Sequence, residues 1–408
     1  MSCLPQSNRL RALLALCAGA IQPLAFAPFG AHPLAWLALL PLFALWLHTS
    51  PRQAAWYGLL FGLGMFGAGV SWVYVAIHVF GHTVAPLAAL LTLLFVLVLA
   101  LTTALAGFLA RYGARRGALS ESAQLLLFFP AVWTLVEWFR GWFLTGFPWL
   151  TLGYSQIDAP LRGYAPLFGV YALSLLAALS AGLLLWMWRE RGKAVAWGVP
   201  LLLLIWLGGW GLSHLEWTRP VAEPLRVTLI QGNVPQSTKW NPAAIRLRLE
   251  RYAGLTREHL EESDLIIWPE NAITVFYHQL ADDYFATLEQ ELRESETDLI
   301  LGVPLLDEDG ERYYTTMMSL GSEHGFYRKR HLVPFGEFLP LESLLRGLIR
   351  FFDMPMSSFT PGPQAQSLLQ AGGQPVAASV CYEDAFPAEM RDFLPQATLL
   401  VNGSNNAW

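Results

Sequence analysis

The stretch VAASVCYEDAFPAEMRDF, residues 376–393, places a single cysteine at the end of an apolar run and directly before a cluster of acids. The run 376–382 predicts a buried strand. From Pro387 the pattern predicts a helix, because proline suits the first helical turn. A strand, a turn and a helix in this order form an elbow that holds a nucleophile above the edge of a sheet. Cys381 is therefore a candidate nucleophile, and a nearby helix N-terminus would favour its thiolate.

The other cysteines do not explain Cys381 as half of a disulfide. The chain has three cysteines, and Cys3 and Cys17 lie in or beside an apolar N-terminal segment. Cys381 therefore has no plausible disulfide partner. The alternative interpretation is a buried cysteine that packs as a small hydrophobic residue. The residues expected near Cys381 distinguish a nucleophile from such a structural cysteine.

Further apolar runs of the same kind alternate with helical patterns, which predicts an α/β domain. The predicted strands are RVTLIQG (226–232), DLIIWPE (264–270), DLILGVP (298–304) and TLLVNGS (398–404). Helical patterns cover 243–262 and 279–295. Glu270 comes as one strand ends, and Lys329 follows a short extended run. Because open α/β sheets bind ligands at the carboxyl ends of their strands, we expect Glu270, Lys329 and Cys381 to converge. Taken singly, the first two would also fit a surface carboxylate and a solvated lysine.

The composition divides the chain into two parts. Of 408 residues, 54% are hydrophobic and only 14% are charged, which is typical of a membrane protein. Only four of the 31 acidic residues precede Leu215. The sequence therefore predicts a transmembrane bundle over 1–215 and a catalytic α/β domain over 216–408.

The first part contains seven apolar segments long enough to span a bilayer. The predicted spans are 11–29, 33–49, 54–79, 84–110, 122–139, 161–187 and 194–213. Arg9 and Arg11 precede the first span as in a signal peptide, but no convincing cleavage site follows, so we expect a retained helix. Basic residues flank mainly one set of loops, which predicts a cytoplasmic N-terminus and places 216–408 outside the cytoplasm.

Several motifs resemble known families. WPE around Glu270, YRKRHLVPFGEFLPLES around Lys329 and CYED around Cys381 resemble the Glu-Lys-Cys set of the nitrilase, or carbon–nitrogen hydrolase, superfamily. QGNVPQSTKW (231–240), HLVPFGE (331–337) and TGFPWLTLGYSQ (145–156) resemble the apolipoprotein N-acyltransferase family of bacterial inner membranes. The resemblance covers essentially the whole chain. It implies an α-helical polytopic membrane bundle plus a periplasmic α/β domain with a nitrilase-like αββα sandwich.

The resemblance also implies a reaction and its partners. A phospholipid, typically phosphatidylethanolamine, would donate an acyl chain to Cys381. The thioester would then acylate the α-amino group of the S-diacylglyceryl cysteine that heads an apolipoprotein. Glu270 would act as the base for the thiol and later for the amine. Lys329 would stabilise the oxyanion of each tetrahedral intermediate.

Four further residues match the family and are expected to support the site. Glu337 would orient Lys329 and the ester, Tyr382 and Glu383 follow the nucleophile directly, and Trp240 matches a tryptophan near the lipid entrance. Packing or local hydrogen bonding is the alternative interpretation for all four. Asn406 stands where the family has an acid, so it is left out of the predicted site.

No cofactor, metal or nucleic acid is expected. The nine histidines are scattered without ligand spacing, and His331 is expected to form a structural hydrogen bond. No glycine-rich phosphate loop follows a strand, and no basic patch is typical of a nucleic-acid surface.

Two other functions fit parts of the sequence. A membrane-anchored amidase or nitrilase would use the same three residues with water as the acceptor. A transporter would explain seven spans, but those spans carry few charges apart from Glu137 and Arg140, whereas coupled transporters usually carry more.

Two segments carry predictions of their own. Related chains continue beyond the position of Trp408, so we expect an incomplete sandwich with an exposed sheet region near Leu399–Val401. The segment 341–354, LESLLRGLIRFFDM, has a broad apolar side and a charged side. It is expected to be a helix at the membrane interface that serves as a lid for two-tailed lipids, with a core-packed helix as the alternative.

Overall fold

The computed structural model describes residue 5 and residues 7–81, 83–239, 241–334, 336–338 and 359–405. The chain divides into two compact units, Met1–Arg219 and Pro220–Trp408. The division falls a few residues after the predicted boundary at 215. Each unit has its own buried apolar residues.

The first unit is helical throughout, with short 3₁₀ and π-helical turns between several helices. Its helices are α1 (Asn8–Ile21), α2 (Pro33–Leu37), α3 (Leu39–Leu47), α4 (Pro51–Gly69), α5 (Trp72–Val75), α6 (Ala85–Arg116), α7 (Glu121–Ala123), α8 (Phe129–Arg140), α9 (Ala165–Glu190) and α10 (Lys193–Leu212).

Among the described residues, four helical segments are long and apolar enough to cross a membrane. They are Ala85–Arg116, Glu121–Arg140, Pro160–Glu190 and Lys193–Leu212. A fifth span results if Pro51–Gly69 and Trp72–Phe80, which are bent by 54° at their junction, count as one. These segments coincide with the last five predicted spans.

The first two predicted spans form shorter helices. The 11–29 segment overlaps α1, which has 14 residues, begins at Asn8 and ends at Ile21, before a 3₁₀ turn that contains Pro23. The 33–49 segment contains the apolar helical stretch Pro33–Leu47. Both fall short of the roughly 20 helical residues that a perpendicular crossing needs. Hydropathy does not register Pro23 in the turn after α1, and the count of seven spans stays a prediction.

Small residues let α4 approach both α1 and α6 closely. A Cβ on Gly62 would lie 2.1 Å from Oγ1 of Thr103 in α6, and one on Gly19 of α1 would lie 1.9 Å from the carbonyl oxygen of Phe61. Close approach of helix backbones at small residues is typical of transmembrane helix packing.

The two charges noted in the spans, Glu137 and Arg140, hydrogen bond to the loop 145–156. Glu137 Oε1 accepts a hydrogen bond from the Leu152 N–H at 2.9 Å. Arg140 Nη1 donates to the Phe147 carbonyl oxygen at 2.6 Å. Both partners belong to the stretch 145–156, so these charges fix the connection between α8 and α9.

The second unit contains eight described strands and four short or medium helices. The strands are β1 (Val227–Leu229), β2 (Leu265–Ile267), β3 (Asp298–Leu306), β4 (Tyr313–Leu320), β5 (Gly325–Arg328), β6 (Leu369–Ala371), β7 (Gln374–Val380) and β8 (Leu399–Gly403). The helices are α11 (Gln236–Lys239), α12 (Ile245–His259), α13 (Ala286–Glu294) and α14 (Pro387–Arg391).

The strands form two sheets. The first has the order β1-β2-β3-β4-β5, in which β1, β2 and β3 are parallel and β4 and β5 are antiparallel to their neighbours. The second has the order β6-β7-β8, in which β6 and β7 are antiparallel and β7 and β8 are parallel.

The five-stranded sheet lies between a helical layer and the second sheet, because successive side chains of β3 face opposite sides. Leu299 and Leu301 pack in one cluster with Leu288 and Leu292 of α13. Ile300 packs in another cluster with residues of β7 and β8. The α/β fold with two facing sheets is therefore confirmed, and the described residues supply three of the four layers of an αββα sandwich.

All five predicted strands are present, and β4, β5 and β6 are additional. The edge predicted near 399–401 is β8, which pairs with β7 alone among the described strands, and Leu400 is 62% exposed. Whether the sandwich is complete stays a prediction. The proposed lid, 341–354, lies outside the described residues.

Candidate active site

Glu270 lies in the turn that follows β2. Just before it, the fully buried Trp268 donates through Nε1 to the Thr256 hydroxyl at 3.0 Å, which fixes the path of the chain. Glu270 is 8% exposed. Its Oε2 accepts a hydrogen bond from the Asn405 N–H at 3.2 Å, just beyond β8. The carboxylate therefore lies where the carboxyl ends of both sheets meet.

Lys329 follows β5 directly, and its side chain is 1% exposed. Its own N–H donates to the Thr315 carbonyl oxygen at 2.8 Å, and its carbonyl oxygen accepts from the Gly362 N–H at 2.7 Å. Nζ lies 2.9 Å from the Glu337 carboxylate and 3.9 Å from Glu270 Oε1. The ammonium is therefore shared between two carboxylates, with Glu337 the closer.

Glu337 is itself held in place by the backbone. Its Oε2 accepts a hydrogen bond from the Val333 N–H at 2.8 Å. Its main chain contributes as well, since the Glu337 carbonyl oxygen accepts from the Phe359 N–H at 2.9 Å. Such fixation suits the predicted role of Glu337 in orienting Lys329.

Cys381 follows β7 and begins the 3₁₀ turn Cys381–Ala385 with a φ of +51°. This left-handed conformation is uncommon for a residue other than glycine and recurs at functional sites. Asn402 of β8 donates to the Cys381 carbonyl oxygen at 3.2 Å, which ties the elbow to the neighbouring strand.

The expected helix after the elbow begins at Pro387, but it differs from the prediction in length and distance. α14 has only five residues and starts six positions after Cys381. A helix dipole acts mainly within the first turn. The dipole of α14 is therefore a weak source of thiolate stabilisation, and the charges around Cys381 matter more.

The three titrating groups influence one another. Burial, and after it the negative charge of Glu270, raise the pKa of Cys381 to about 11, although Lys329 and a hydrogen bond with Ser404 act to lower it. Burial also raises the pKa of Glu270, against the lowering effect of Lys329. Burial alone would lower the pKa of Lys329, but Glu337 and Glu270 outweigh it and the pKa is raised. The lysine is therefore a permanent cation, and the thiol keeps its proton at neutral pH until a base takes it.

Glu383 joins the strand end of Lys329 to that of Cys381. It is fully buried. Its Oε1 accepts hydrogen bonds from three donors: the Tyr327 hydroxyl at 2.9 Å, the Arg330 N–H at 2.7 Å and the His331 N–H at 3.1 Å. Its Oε2 accepts from the Val380 N–H at 2.7 Å. Glu383 therefore holds the strand ends that carry Lys329 and Cys381 in a fixed position relative to each other.

Tyr382 and His331 lie beside the elbow. The Tyr382 ring packs edge-on against Phe386 at 5.0 Å, and His331 stacks on Phe386 at 3.6 Å. His331 Nδ1 hydrogen bonds to Glu389 Oε1 at 2.7 Å, as its predicted structural role requires. Trp240 and Asn406, the other residues considered from sequence, lie outside the described residues.

Ser404 and Asn405 contact the site and were not predicted. One hydrogen bonds to Cys381 and the other to Glu270. Both follow directly after β8, at the carboxyl end of a strand. Glu270, Lys329 and Cys381 were predicted from the same kind of position, so Ser404 and Asn405 could have been predicted in the same way.

A thiol next to a buried carboxylate and a fixed ammonium suits covalent acyl transfer. The carboxylate can take the proton of the thiol, the sulfur can attack a carbonyl carbon, and the ammonium can stabilise the resulting oxyanion.

Known families match both units. Residues 18–183 match the apolipoprotein N-acyltransferase N-terminal domain, and residues 226–408 match the carbon-nitrogen hydrolase domain. An apolipoprotein N-acyltransferase of Methylococcus capsulatus is 48% identical over 97% of this chain and 78% of its own length. The chain belongs to the apolipoprotein N-acyltransferase family.

Other relatives agree with this membership. The apolipoprotein N-acyltransferase of Coxiella burnetii is 42% identical over 98% of this chain and 82% of its own length. That of Azotobacter vinelandii is 43% identical over 97% of this chain and 77% of its own length. In this member of the apolipoprotein N-acyltransferase family, the apolar helices of the first unit make the chain a multi-pass membrane protein.

Proposed function

We propose that the protein transfers an acyl chain from a phospholipid to Cys381 and from there to the α-amino group of an S-diacylglyceryl cysteine at the head of an apolipoprotein. The observation that carries this proposal is the meeting of Glu270, Lys329 and Cys381 at the carboxyl ends of three strands, in a chain of the apolipoprotein N-acyltransferase family. The same membership supports acyl transfer over the amidase alternative.

In the first half-reaction, Glu270 takes the thiol proton and the Cys381 sulfur attacks the ester carbonyl carbon of the phospholipid. The carbonyl oxygen gains a negative charge, which the Lys329 ammonium stabilises. When the intermediate collapses, the C–O bond breaks and Glu270 returns the proton to the leaving oxygen. The products are a lysophospholipid and an acyl thioester on Cys381.

In the second half-reaction, the amine of the acceptor attacks the thioester carbonyl carbon. Glu270 takes a proton from the attacking nitrogen, and Lys329 again faces the oxyanion. The C–S bond then breaks, and the thiolate of Cys381 recovers the proton from Glu270. An amide and the free enzyme result, so no proton or electron is left over.

The raised pKa values of Cys381 and Glu270 suit a mechanism in which Glu270 deprotonates the thiol. With a pKa of about 11, roughly one Cys381 side chain in ten thousand is a thiolate at neutral pH. An unassisted attack would therefore be slow, and a base is required. Burial raises the pKa of Glu270, which makes its carboxylate a stronger base than an exposed glutamate.

Supporting residues have narrower roles. Glu337 holds Lys329 in position, Glu383 fixes the elbow, and Tyr382 lies beside the nucleophile. The role of Trp240 near the lipid entrance rests on the sequence resemblance alone. The second unit acts on the periplasmic side of the bacterial inner membrane, with the N-terminus in the cytoplasm, as the distribution of basic residues indicates.

The test is a transfer assay with the full chain in detergent or in vesicles. Phosphatidylethanolamine with a radiolabelled acyl chain is the donor, and a diacylglyceryl cysteinyl peptide with a free N-terminus is the acceptor. We expect label in an amide of the peptide, none with an N-acetylated acceptor, and none with Cys381→Ala. Label released as free fatty acid in place of the amide would favour hydrolysis. Transfer by Cys381→Ala at a comparable rate would contradict the covalent mechanism.

A further inference from the structure

The end of β8 lies beside the nucleophile. β7 and β8 are parallel, and Val380 is the register partner of Gly403. The residues that follow this pair, Cys381 and Ser404, therefore leave the sheet next to each other. Side chains at the end of β8 are thus placed to contact the elbow directly.

Asn402 binds the backbone of the nucleophile through its side-chain amide. Its Nδ2 donates to the Cys381 carbonyl oxygen at 3.2 Å and to the Ser379 hydroxyl oxygen at 3.0 Å. A carbonyl oxygen can only accept, so the contact with Cys381 requires a donor at position 402. Cys381 has a φ of +51°, which costs free energy in a residue that carries a Cβ. The hydrogen bond from Asn402 therefore stabilises the backbone conformation that sets the direction of the Cys381 side chain.

Ser404 contacts the side chain of the nucleophile. It forms a side-chain hydrogen bond with Cys381, which acts to lower the pKa of the thiol. A hydrogen bond lowers the pKa of a thiol when it stabilises the thiolate, so the hydroxyl of Ser404 is the donor. Such a bond also restricts rotation of the thiol about χ1. Ser404 therefore orients the sulfur as well as stabilising its charged form.

The same segment also contacts the base. The Asn405 N–H donates to Glu270 Oε2 at 3.2 Å. A Cβ on Gly403 would lie 3.6 Å from the Glu270 backbone nitrogen, so the end of β8 runs close to the turn that carries the base. One continuous segment, 402–405, therefore contacts the backbone and the thiol of Cys381 and the carboxylate of Glu270.

We propose that the segment 402–405 is a positioning element of the active site, in which Asn402 fixes the backbone of Cys381 and Ser404 orients its sulfur. The inference rests on the proposed function in one respect, namely that Cys381 is the nucleophile and Glu270 its base. Both Asn402 and Ser404 act through Cys381 and not on the substrate.

Substitutions separate this role from the packing of β8. Asn402 is an exposed residue, so Asn402→Leu retains the approximate shape of the side chain and removes the donor. Asn402→Asp does the same with a polar side chain. Ser404→Ala removes the hydroxyl, and Ser404→Thr retains it. Leu400→Thr is the matched control, because Leu400 is a 62% exposed residue of the same strand whose side chain has no hydrogen-bonding atom.

The first measurement is the rate at which iodoacetamide alkylates Cys381 at neutral and alkaline pH, with peptide mass spectrometry separating Cys381 from Cys3 and Cys17. Below the pKa of about 11, this rate is proportional to the thiolate fraction. Ser404→Ala should slow alkylation by roughly three- to tenfold, because the thiolate loses a donor. Ser404→Thr should restore the rate, and Leu400→Thr should leave it unchanged. No lipid is present, so the result is independent of the acyl donor.

The second measurement is acylation of Cys381 by labelled phospholipid, followed by rapid quench over a range of lipid concentrations. Asn402→Leu and Asn402→Asp should each lower the maximal rate of acylation by roughly 10- to 100-fold, because the nucleophile is displaced. The lipid concentration at half-maximal rate should stay within about twofold, because lipid binding is not affected. Thermal unfolding identifies any variant that loses the fold.

Three results would overturn the proposal. One is acylation of folded Asn402→Leu or Asn402→Asp at the unsubstituted rate, and another is alkylation of folded Ser404→Ala at the unsubstituted rate. The third is an equal loss in Leu400→Thr, because any disturbance of β8 would then have the same effect. None of these results changes the transfer assay of the proposed function, which compares the unsubstituted chain with Cys381→Ala.

Discussion

Glu383→Gln should weaken the link between the strand ends that carry Lys329 and Cys381. The carboxylate accepts three hydrogen bonds at Oε1 and a fourth, from the Val380 N–H, at Oε2. Because each backbone partner can only donate, the site is built for a group with two acceptor oxygens. A glutamine keeps one acceptor oxygen and turns an NH₂ group toward the remaining donor.

The magnitude follows from those four bonds. Leaving one buried N–H without an acceptor costs about 1–3 kcal/mol, and replacing a charged acceptor by a neutral one costs about 1 kcal/mol for each of the other three. Because such terms are not fully additive, we expect a loss of about 3–5 kcal/mol in the free energy of unfolding. For a domain of this size that corresponds to a fall of roughly 10 °C in Tm. A shift of the nucleophile by about 1 Å would also slow acylation by roughly 100-fold.

The assay combines thermal unfolding of the full chain in detergent with acylation of Cys381 by labelled phospholipid at a temperature where both proteins are folded. Asp384→Asn is the matched control, because it removes an exposed acid from the same turn. It should change the free energy of unfolding by less than about 0.5 kcal/mol. If Glu383→Gln has the same Tm as Asp384→Asn and is acylated at the same rate as the unsubstituted chain, Glu383 does not link the two strand ends.

Three other substitutions have definite expected results. Lys329→Met should slow acylation by roughly 100- to 1000-fold in rapid-quench measurements, because an oxyanion donor is lost; a loss below about tenfold would argue against that role. Glu270→Gln should abolish transfer and yet lower the pH midpoint for alkylation of Cys381, because it removes both the base and a negative charge that raises the pKa of the thiol; a raised midpoint would refute the assigned electrostatics. Gly62→Val should cost about 1–3 kcal/mol of stability by overpacking, because its Cβ would lie 2.1 Å from a side-chain oxygen of α6; Gly67→Val, where nothing lies within 4 Å of a Cβ, should melt like the unsubstituted chain.

The convergence of Glu270, Lys329 and Cys381 could be predicted because each follows an extended or apolar run at the carboxyl end of a strand. Buried strands of this kind appear in the sequence as short continuous apolar segments. β4, by contrast, mixes tyrosine, threonine and methionine, and its position in the sheet depends on pairing with β3 rather than on its own pattern.

Other features depend on contacts between distant parts of the chain. Glu383 looks like one acid of a short acidic cluster, and its role becomes visible only when residues more than fifty positions earlier donate to it. Lys239, at the end of a four-residue helix, looks like a surface lysine in sequence. It is nevertheless only 6% exposed, and Arg248 and Thr274 hydrogen bond to its carbonyl oxygen.

The sequence predicts a membrane span best where the length of an apolar segment alone determines the length of the helix. The last four predicted spans coincide with long apolar helical segments, whereas 54–79 is bent by 54° between Gly69 and Trp72. The first segment, 11–29, has the right composition, but Pro23 lies in the 3₁₀ turn that follows the end of α1 at Ile21. Average hydropathy does not contain that information, since it weighs residues without regard to backbone conformation.

In the proposed mechanism, Cys381 carries the acyl chain between donor and acceptor. The most direct measurement is the mass of the intact chain after incubation with phospholipid and no acceptor, followed by peptide mapping. We expect one acyl adduct on Cys381, removed by hydroxylamine as a thioester and discharged to an amide when a diacylglyceryl cysteinyl peptide is added. Transfer to the peptide without any adduct on Cys381, or an adduct on another residue, would contradict it.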